Sequence, residues 1–231
     1  MKTQIIARRA HHFVLGLLGK GSVIIDLGAN RGHFSAEVSR DCGATCYAIE
    51  AVPRLYELIL ENPSIRKYNL AICKADGPVS FNISSQEESG SMSALPDSML
   101  EESITVQGMT LKSFMDANNL DQIDLLKMDI EGAEIELLKS IDDSTLRKIR
   151  QITVEFHDFL PYFDQAGDIV LIKARLKSLG FVCIKYSMSC HADVLFINRN
   201  NSGLSALEIA YIQWINCYVR AFKRGMKRLI G

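Results

Sequence analysis

Acidic and histidine side chains stand at the ends of four apolar, strand-like runs of this chain. Asp26, Glu50 and Asp129 each end one such run. Glu155 and His157 alternate with apolar residues at the end of a fourth. In an open α/β sheet the carboxyl ends of the strands border the ligand cleft. We therefore expect these side chains to lie around one site.

The first run enters a glycine turn that could bind a nucleoside cofactor. The turn has the spacing Asp26-x-Gly28-x-x-x-Gly32, and Glu50 ends the next strand. Glycines let the backbone approach a ligand, and Glu50 could accept both ribose hydroxyls. The acid would repel the pyrophosphate of a dinucleotide and favours an amine or a sulfonium, both of which S-adenosylmethionine carries. An ordinary glycine loop between a strand and a helix is the structural alternative.

The second group of polar residues could carry acid–base chemistry. Glu155 and His157 are two residues apart on a strand, so their side chains would share a face. Because histidine titrates near neutrality, His157 could accept the proton of an attacking alcohol, with Asp129 or Glu155 orienting it. An ion pair at the strand end is the structural alternative. A divalent metal held by Asp129, Glu155 and His157 is a further alternative, but we do not favour it. We expect Glu131 or Glu134 to complement a helix N-terminus.

Composition places limits on the class of protein. The 231 residues are 48% hydrophobic, which is enough for a substantial core. A formal net charge of -1 gives no overall attraction to nucleic acid. The six cysteines form no metal-ligand pattern, and a reduced, cytoplasmic setting fits them best.

Strand and helix patterns alternate along most of the chain. This alternation predicts an α/β fold in which a mostly parallel sheet carries helices on both faces. Residues 181–186 and 193–198 would close the sheet as an antiparallel pair. Polar residues 86–93 would form a surface loop, and the loops around residues 86–102 and 159–166 would shape the acceptor pocket.

The two ends of the chain are predicted to be helical. Residues 1–20 would form an N-terminal helical segment, residues 21–200 the main domain, and residues 201–231 a basic amphipathic helix. Such a C-terminal helix could lie on an anionic membrane, or it could pack on the domain or on a second subunit. Its apolar residues include Leu207, Tyr211, Trp214, Ile215, Tyr218, Phe222 and Met226, with Arg220, Lys223, Arg224, Lys227 and Arg228 between them, and no acid follows Glu208.

Taken together, these segments resemble the FkbM-type family of S-adenosylmethionine-dependent methyltransferases. The resemblance covers about residues 21 to 200, and residues 126–134 are its most family-specific run. The matching stretches are residues 23–32, 48–53, 69–72, 110–114, 123–134 and 152–157.

The resemblance implies a Rossmann-like class I methyltransferase fold with seven strands, the last antiparallel. It also implies methyl transfer to oxygen, on a sugar, a glycolipid or a secondary metabolite. A non-catalytic protein that binds a nucleoside cofactor, or an NAD-dependent oxidoreductase, is the alternative. The resemblance assigns the cofactor to the turn residues Asp26, Gly28, Asn30 and Gly32, with Glu50 at the ribose and Asp129 near the methionine end.

Overall fold

The computed structural model describes residues 2–84, 90–91, 100–159, 166–215 and 218 of the chain. The strands are β1 (Ile5–Arg8), β2 (His11–Val14), β3 (Val23–Leu27), β4 (Thr45–Ile49), β5 (Ile65–Tyr68), β6 (Ala71–Ile72), β7 (Gly77–Ser84), β8 (Gly90–Ser91), β9 (Leu100–Met109), β10 (Leu125–Met128), β11 (Gln151–Val154), β12 (Phe181–Lys185) and β13 (Val194–Asn198). The helices are α1 (His33–Cys42), α2 (Pro53–Tyr56), α3 (Leu111–Ala117), α4 (Glu134–Ser140), α5 (Asp143–Arg147), α6 (Ala166–Ser178) and α7 (206–215), with a 3-10 turn at Leu15–Leu17.

Seven strands form the main sheet, in the order β12-β13-β11-β10-β3-β4-β5. Strands β11, β10, β3, β4 and β5 pair in parallel, whereas β13 runs antiparallel to both β11 and β12. The central strands are buried along their whole length, as expected where both faces of a parallel sheet are covered. The predicted sheet and its antiparallel closing pair are therefore confirmed.

A smaller sheet has the strand order β6-β9-β7-β8. Its strands come between β5 and β10 of the main sheet in the sequence. Its centre is the antiparallel pair β7 and β9, which come before and after the predicted polar loop in sequence. Most of that loop, and most of the loop predicted at 159–166, lies outside the described residues.

The N-terminal segment is a β-hairpin, and the helix predicted over residues 1–20 is wrong. Strands β1 and β2 pair across a turn whose central residues, Arg9 and Ala10, have φ of 48° and 66°. Two consecutive positive φ angles are typical of the two-residue turn that joins twisted strands. The side chain of Gln151 accepts from the N–H of Val14 at 2.9 Å and donates to its carbonyl at 3.2 Å. This contact with a distant strand has no local sequence signal.

Helix α7 packs one face on the main domain. Ile209 and Ile212 are buried together with Leu204 and with residues of β12 and β13. The basic residues predicted to complete a C-terminal amphipathic helix lie outside the described part of the chain. Among the described residues, no helix is both long and apolar enough to cross a membrane.

Candidate active site

The turn between β3 and α1 packs directly on the end of β10. Gly28 has φ of +72°, and a Cβ on it would lie 1.8 Å from the carbonyl oxygen of Asp129. Gly32 has φ of +75°, and its Cβ would lie 2.8 Å from Ile59. Asn30 adopts φ of 51°, a conformation that few residues other than glycine tolerate. Both glycines of the predicted turn are therefore required by close approach as well as by backbone conformation.

Glu50 directly follows β4 beside this turn, and the residue is only 5% exposed. One of its oxygens accepts the N–H of Asn30 at 2.8 Å and the other accepts the N–H of Val52 at 2.9 Å. Burial raises the pKa of Glu50, and the two hydrogen bonds oppose that rise. Because a carboxylate oxygen can accept more than one hydrogen bond, both oxygens keep capacity for ligand hydroxyls.

A partly enclosed cavity lies over the tips of β3, β4 and β10. Its walls include apolar side chains of both sheets and the carboxylates of Glu50, Asp129 and Glu131. The described lining residues are Leu27, Gly28, Asn30, Ile49, Glu50, Ala51, Leu55, Leu70, Ala71, Ile72, Phe81, Asp129, Ile130 and Glu131. No lysine or arginine is among them, so the described lining is acidic.

Asp26 does not line this cavity, although it lies under the predicted cofactor turn. It is fully buried, accepts a hydrogen bond from Ser35 Oγ at 2.7 Å and lies 3.1 Å from Lys127 Nζ. The ammonium also donates to the carbonyl oxygens of Leu27 at 3.2 Å and Gly28 at 2.8 Å. The direct contact with a cationic cofactor that the sequence suggested is therefore replaced by an internal ion pair that fixes the glycine turn.

Lys127 was not predicted as a site residue. Its signal is a charged residue inside an otherwise apolar, four-residue strand. Burial by itself would lower the pKa of Lys127, but Asp26 and Asp129 outweigh that effect and raise it. An ammonium enclosed in this way remains charged and balances one of the two carboxylates.

Asp129 lies close to three basic side chains, each from a different part of the fold. Its carboxylate lies 3.6 Å from Lys127 Nζ, 3.4 Å from His11 Nε2 and 3.9 Å from His157 Nε2. Burial alone would raise its pKa, but Lys127 and then His11 lower it, so Asp129 is ionised at neutral pH. His11 comes from the hairpin strand β2 and is 1% exposed. No partner for His11 could be predicted from the sequence, because the hairpin that carries it to the site was not predicted.

His157 is held between two carboxylates, an arrangement that disfavours the role of general base predicted for it. Its Nε2 lies 3.2 Å from Glu131 and its Nδ1 lies 3.1 Å from Glu134. Burial would lower the pKa of His157, but these two acids outweigh it and raise that pKa to about 11. The imidazole is therefore protonated at neutral pH and has no free lone pair to accept a proton.

Glu134 has the structural role that the sequence predicted for one of two acids. Its carboxylate accepts the N–H of Ile130 at 2.9 Å and of Gly132 at 3.1 Å, just before helix α4. It is fully buried. The turn that follows Asp129 is therefore fixed by Glu134, and His157 is fixed against that turn.

Glu155 is the carboxylate with the fewest partners at the strand tips. Among the described residues, no hydrogen bond or ion pair engages its side chain, which is only partly buried. Burial, and then the nearby charge of Asp129, raise the pKa of Glu155 to about 7. At neutral pH this carboxyl group can therefore both accept and release a proton.

Two sets of side chains among the described residues have metal-compatible donor atoms within 4.8 Å of one another. One set is His11, Asp129 and Glu155, and the other is Asp129, Glu131 and His157. Both sets depend on Asp129, and the Lys127 ammonium 3.6 Å away already balances part of its charge, which weakens the attraction for a divalent ion. The second set would also require His157 to lose its proton.

The chain matches the methyltransferase FkbM domain over residues 26–183. It is 24% identical over 185 residues to Methyltransferase 1 of Beauveria bassiana, an alignment that covers 69% of this chain and 72% of that protein. It is 25% identical over 183 residues to the AMB antimetabolite synthetase AmbE of Pseudomonas aeruginosa, covering 62% of this chain but 9% of that protein.

The crystal structure of methyltransferase FkbM from Methylobacillus flagellatus KT is similar in fold, with a TM-score of 0.51 and 13% identity. That similarity covers 77% of this chain and 43% of the solved chain, so the present chain spans less than half of it. The domain match extends from the acid of the glycine turn to strand β12, and it includes every strand tip described above. The protein therefore belongs to the FkbM methyltransferase family and has the Rossmann-like class I methyltransferase fold.

Proposed function

We propose that the protein transfers the methyl group of S-adenosylmethionine to a hydroxyl oxygen of a sugar, a glycolipid or a secondary metabolite. The observation that carries this proposal is the acidic lining of the cavity. Glu50, Asp129 and Glu131 face it, and no cationic side chain is among its described lining residues. Opposite charges attract strongly in a partly buried site, so this lining favours a sulfonium and an amine over a pyrophosphate.

The cofactor would lie across the tips of β3, β4 and β10. Glu50, already fixed by two backbone N–H groups, would accept the ribose hydroxyls. The apolar side chains of Leu55, Leu70 and Phe81 would enclose the base on the side of the smaller sheet. Asp129 would lie near the methionine end, where Lys127 keeps it ionised.

We assign the proton of the acceptor hydroxyl to Glu155, because its carboxylate lies within 4.8 Å of that of Asp129, which lines the cavity. S-adenosylmethionine supplies a methyl group already activated by the positive sulfur, so the protein mainly aligns the two reactants. The hydroxyl oxygen forms a bond to the methyl carbon, the carbon–sulfur bond breaks with its electron pair on sulfur, and the hydroxyl proton passes to Glu155. A positioned base of this kind contributes roughly 10²–10⁴-fold to the rate.

Calorimetric titration tests the cofactor part of the proposal. The purified protein would be titrated with S-adenosylmethionine and separately with NAD, each with and without magnesium. We expect binding of S-adenosylmethionine alone, unaffected by magnesium, and about 10–100-fold weaker in Glu50→Gln because charged hydrogen bonds are lost. Glu61→Gln is the matched control, since that side chain is 86% exposed.

Other results would point to the two alternatives. Binding of NAD instead would support an oxidoreductase. Binding of S-adenosylmethionine with no methyl transfer to any hydroxyl compound in an acceptor screen would support a cofactor-binding protein without catalysis. A requirement for magnesium would support the hypothesis that Asp129 and its neighbours hold a divalent metal.

A further inference from the structure

Helix α7 carries an apolar stripe on the face that points away from the domain, and no described residue covers it. Leu207 is 84% exposed, Tyr211 45%, Trp214 64% and Tyr218, one helical turn beyond Trp214, 64%. These residues recur every three or four positions and so share one side of a helix. The rings of Trp214 and Tyr218 stack with centroids 6.0 Å apart.

The opposite face of α7 is already used for packing. Ile209 is 4% and Ile212 1% exposed, and both contact the core beside β12 and β13. The exposed stripe is therefore an addition to the apolar residues that attach the helix to the domain. Exposed aromatic groups of this size are a feature of interaction sites.

Basic side chains line a groove that reaches α7 at one residue. Its described lining includes Gln213 of the helix and the side chains of Lys173, Lys177 and Arg199. No acid is among its described lining residues.

The sequence beyond the described residues continues both features. Phe222 and Met226 follow at helical spacing from Tyr218. Five basic residues occur after Tyr218, at positions 220, 223, 224, 227 and 228, and no acid follows Glu208. An apolar stripe next to uncompensated basic charge is the pattern of a helix that lies in a membrane interface.

We propose that the stripe formed by Leu207, Tyr211, Trp214 and Tyr218 docks the protein on an anionic membrane surface. Tryptophan and tyrosine are enriched where apolar chains meet lipid head groups, and each nearby basic residue strengthens contact with anionic lipid. A second copy of the chain is a poorer occupant. A symmetric interface would bring two basic segments together, and like charges oppose association.

Vesicle sedimentation of the full-length protein tests this proposal. Vesicles of phosphatidylcholine with about 30% phosphatidylglycerol would be compared with pure phosphatidylcholine at roughly 0.1 M salt. We expect binding to the anionic vesicles that is strongly reduced at about 0.5 M salt. The double variant Tyr211→Ser, Trp214→Ser should bind at least about tenfold more weakly, because two large aromatic groups no longer enter the interface.

A second double variant tests the charge separately. Lys223→Gln with Arg224→Gln should bind about 25-fold more weakly, at roughly fivefold for each charge. The matched control is Leu58→Ser with Leu60→Ser, since these side chains are 51% and 66% exposed elsewhere on the surface. It should bind like the unmodified protein, and thermal unfolding would confirm that every variant is folded.

Three outcomes would overturn the proposal. The first is a full-length protein that does not sediment with anionic vesicles, and the second is equal binding by the aromatic variant and by its control. The third is a dimer, seen by light scattering, that the aromatic variant dissociates while vesicles bind neither form. None of these outcomes affects the methyltransferase proposal, because the stripe lies outside the cavity.

Discussion

Replacing Glu155 with Gln removes the one carboxyl group at the strand tips that is expected to titrate near neutral pH. Its pKa is raised by burial, and then by Asp129, from an ordinary 4.5 to about 7 in the folded protein. A folded-state pKa above the unfolded value means that ionisation opposes folding. The favourable contribution of this group is therefore complete below about pH 4.5 and is lost as the pH rises through about 7.

The size of the effect follows from the shift. Moving the pKa from 4.5 to about 7 corresponds to about 3.4 kcal/mol at 1.36 kcal/mol per unit. Since the side chain is only partly buried, solvent screening reduces this figure, and we expect about 1–2 kcal/mol. Glu155→Gln should therefore be more stable than the unmodified protein by that amount at about pH 8, with the difference vanishing near pH 5.

Urea unfolding at about pH 5, 6, 7 and 8 measures this difference. Glu57→Gln, at an exposed position of the same residue type, is the control and should show no such trend. Glu155→Gln should also reduce the rate of methyl transfer by roughly 10²-fold or more, and it should remove the fall in that rate below about pH 7. A stability difference that does not change with pH would refute the charge assignment. Unchanged turnover with an unchanged pH profile would refute the base.

Three further substitutions test the arrangement around Glu155. Lys127→Met should destabilise the fold by about 3–5 kcal/mol in urea unfolding, because it leaves the charge of the buried Asp26 unpaired. The double variant Lys127→Met, Asp26→Asn should recover much of that stability, because it removes the unpaired charge. Gly28→Ala should abolish cofactor binding in calorimetry, because the new methyl group would lie 1.8 Å from a backbone oxygen of Asp129; binding equal to that of the unmodified protein would contradict the observed approach. His157→Gln should lower the free energy of unfolding by about 3 kcal/mol at about pH 6 and by less at about pH 10. Because the pKa of His157 is raised in the folded protein, its positive charge stabilises the fold fully below about pH 6.5, and that contribution is lost as the pH rises through about 11.

The two acids at the strand tips of the first β-α-β unit show how far local pattern reaches. The glycine spacing around Gly28 and the acid at Glu50 predicted residues that do line the observed cavity, because glycine content and strand period are local properties. The same reasoning gave Asp26 a direct contact with the cofactor. In the structure Asp26 is instead fully buried and paired with Lys127, which comes from a strand about 100 residues away in sequence.

The sequence by itself determined the α/β fold, the polar residues that end its strands and the family to which the chain belongs. These depend on apolar periodicity and on turn residues, which each segment carries independently of the others. Only the tertiary structure decided the charge states. His157 is protonated and Glu155 is the titrating group because carboxylates from α4, from its preceding turn and from β10 surround them unequally. A pKa depends on neighbours in space, and a one-dimensional pattern does not specify those neighbours.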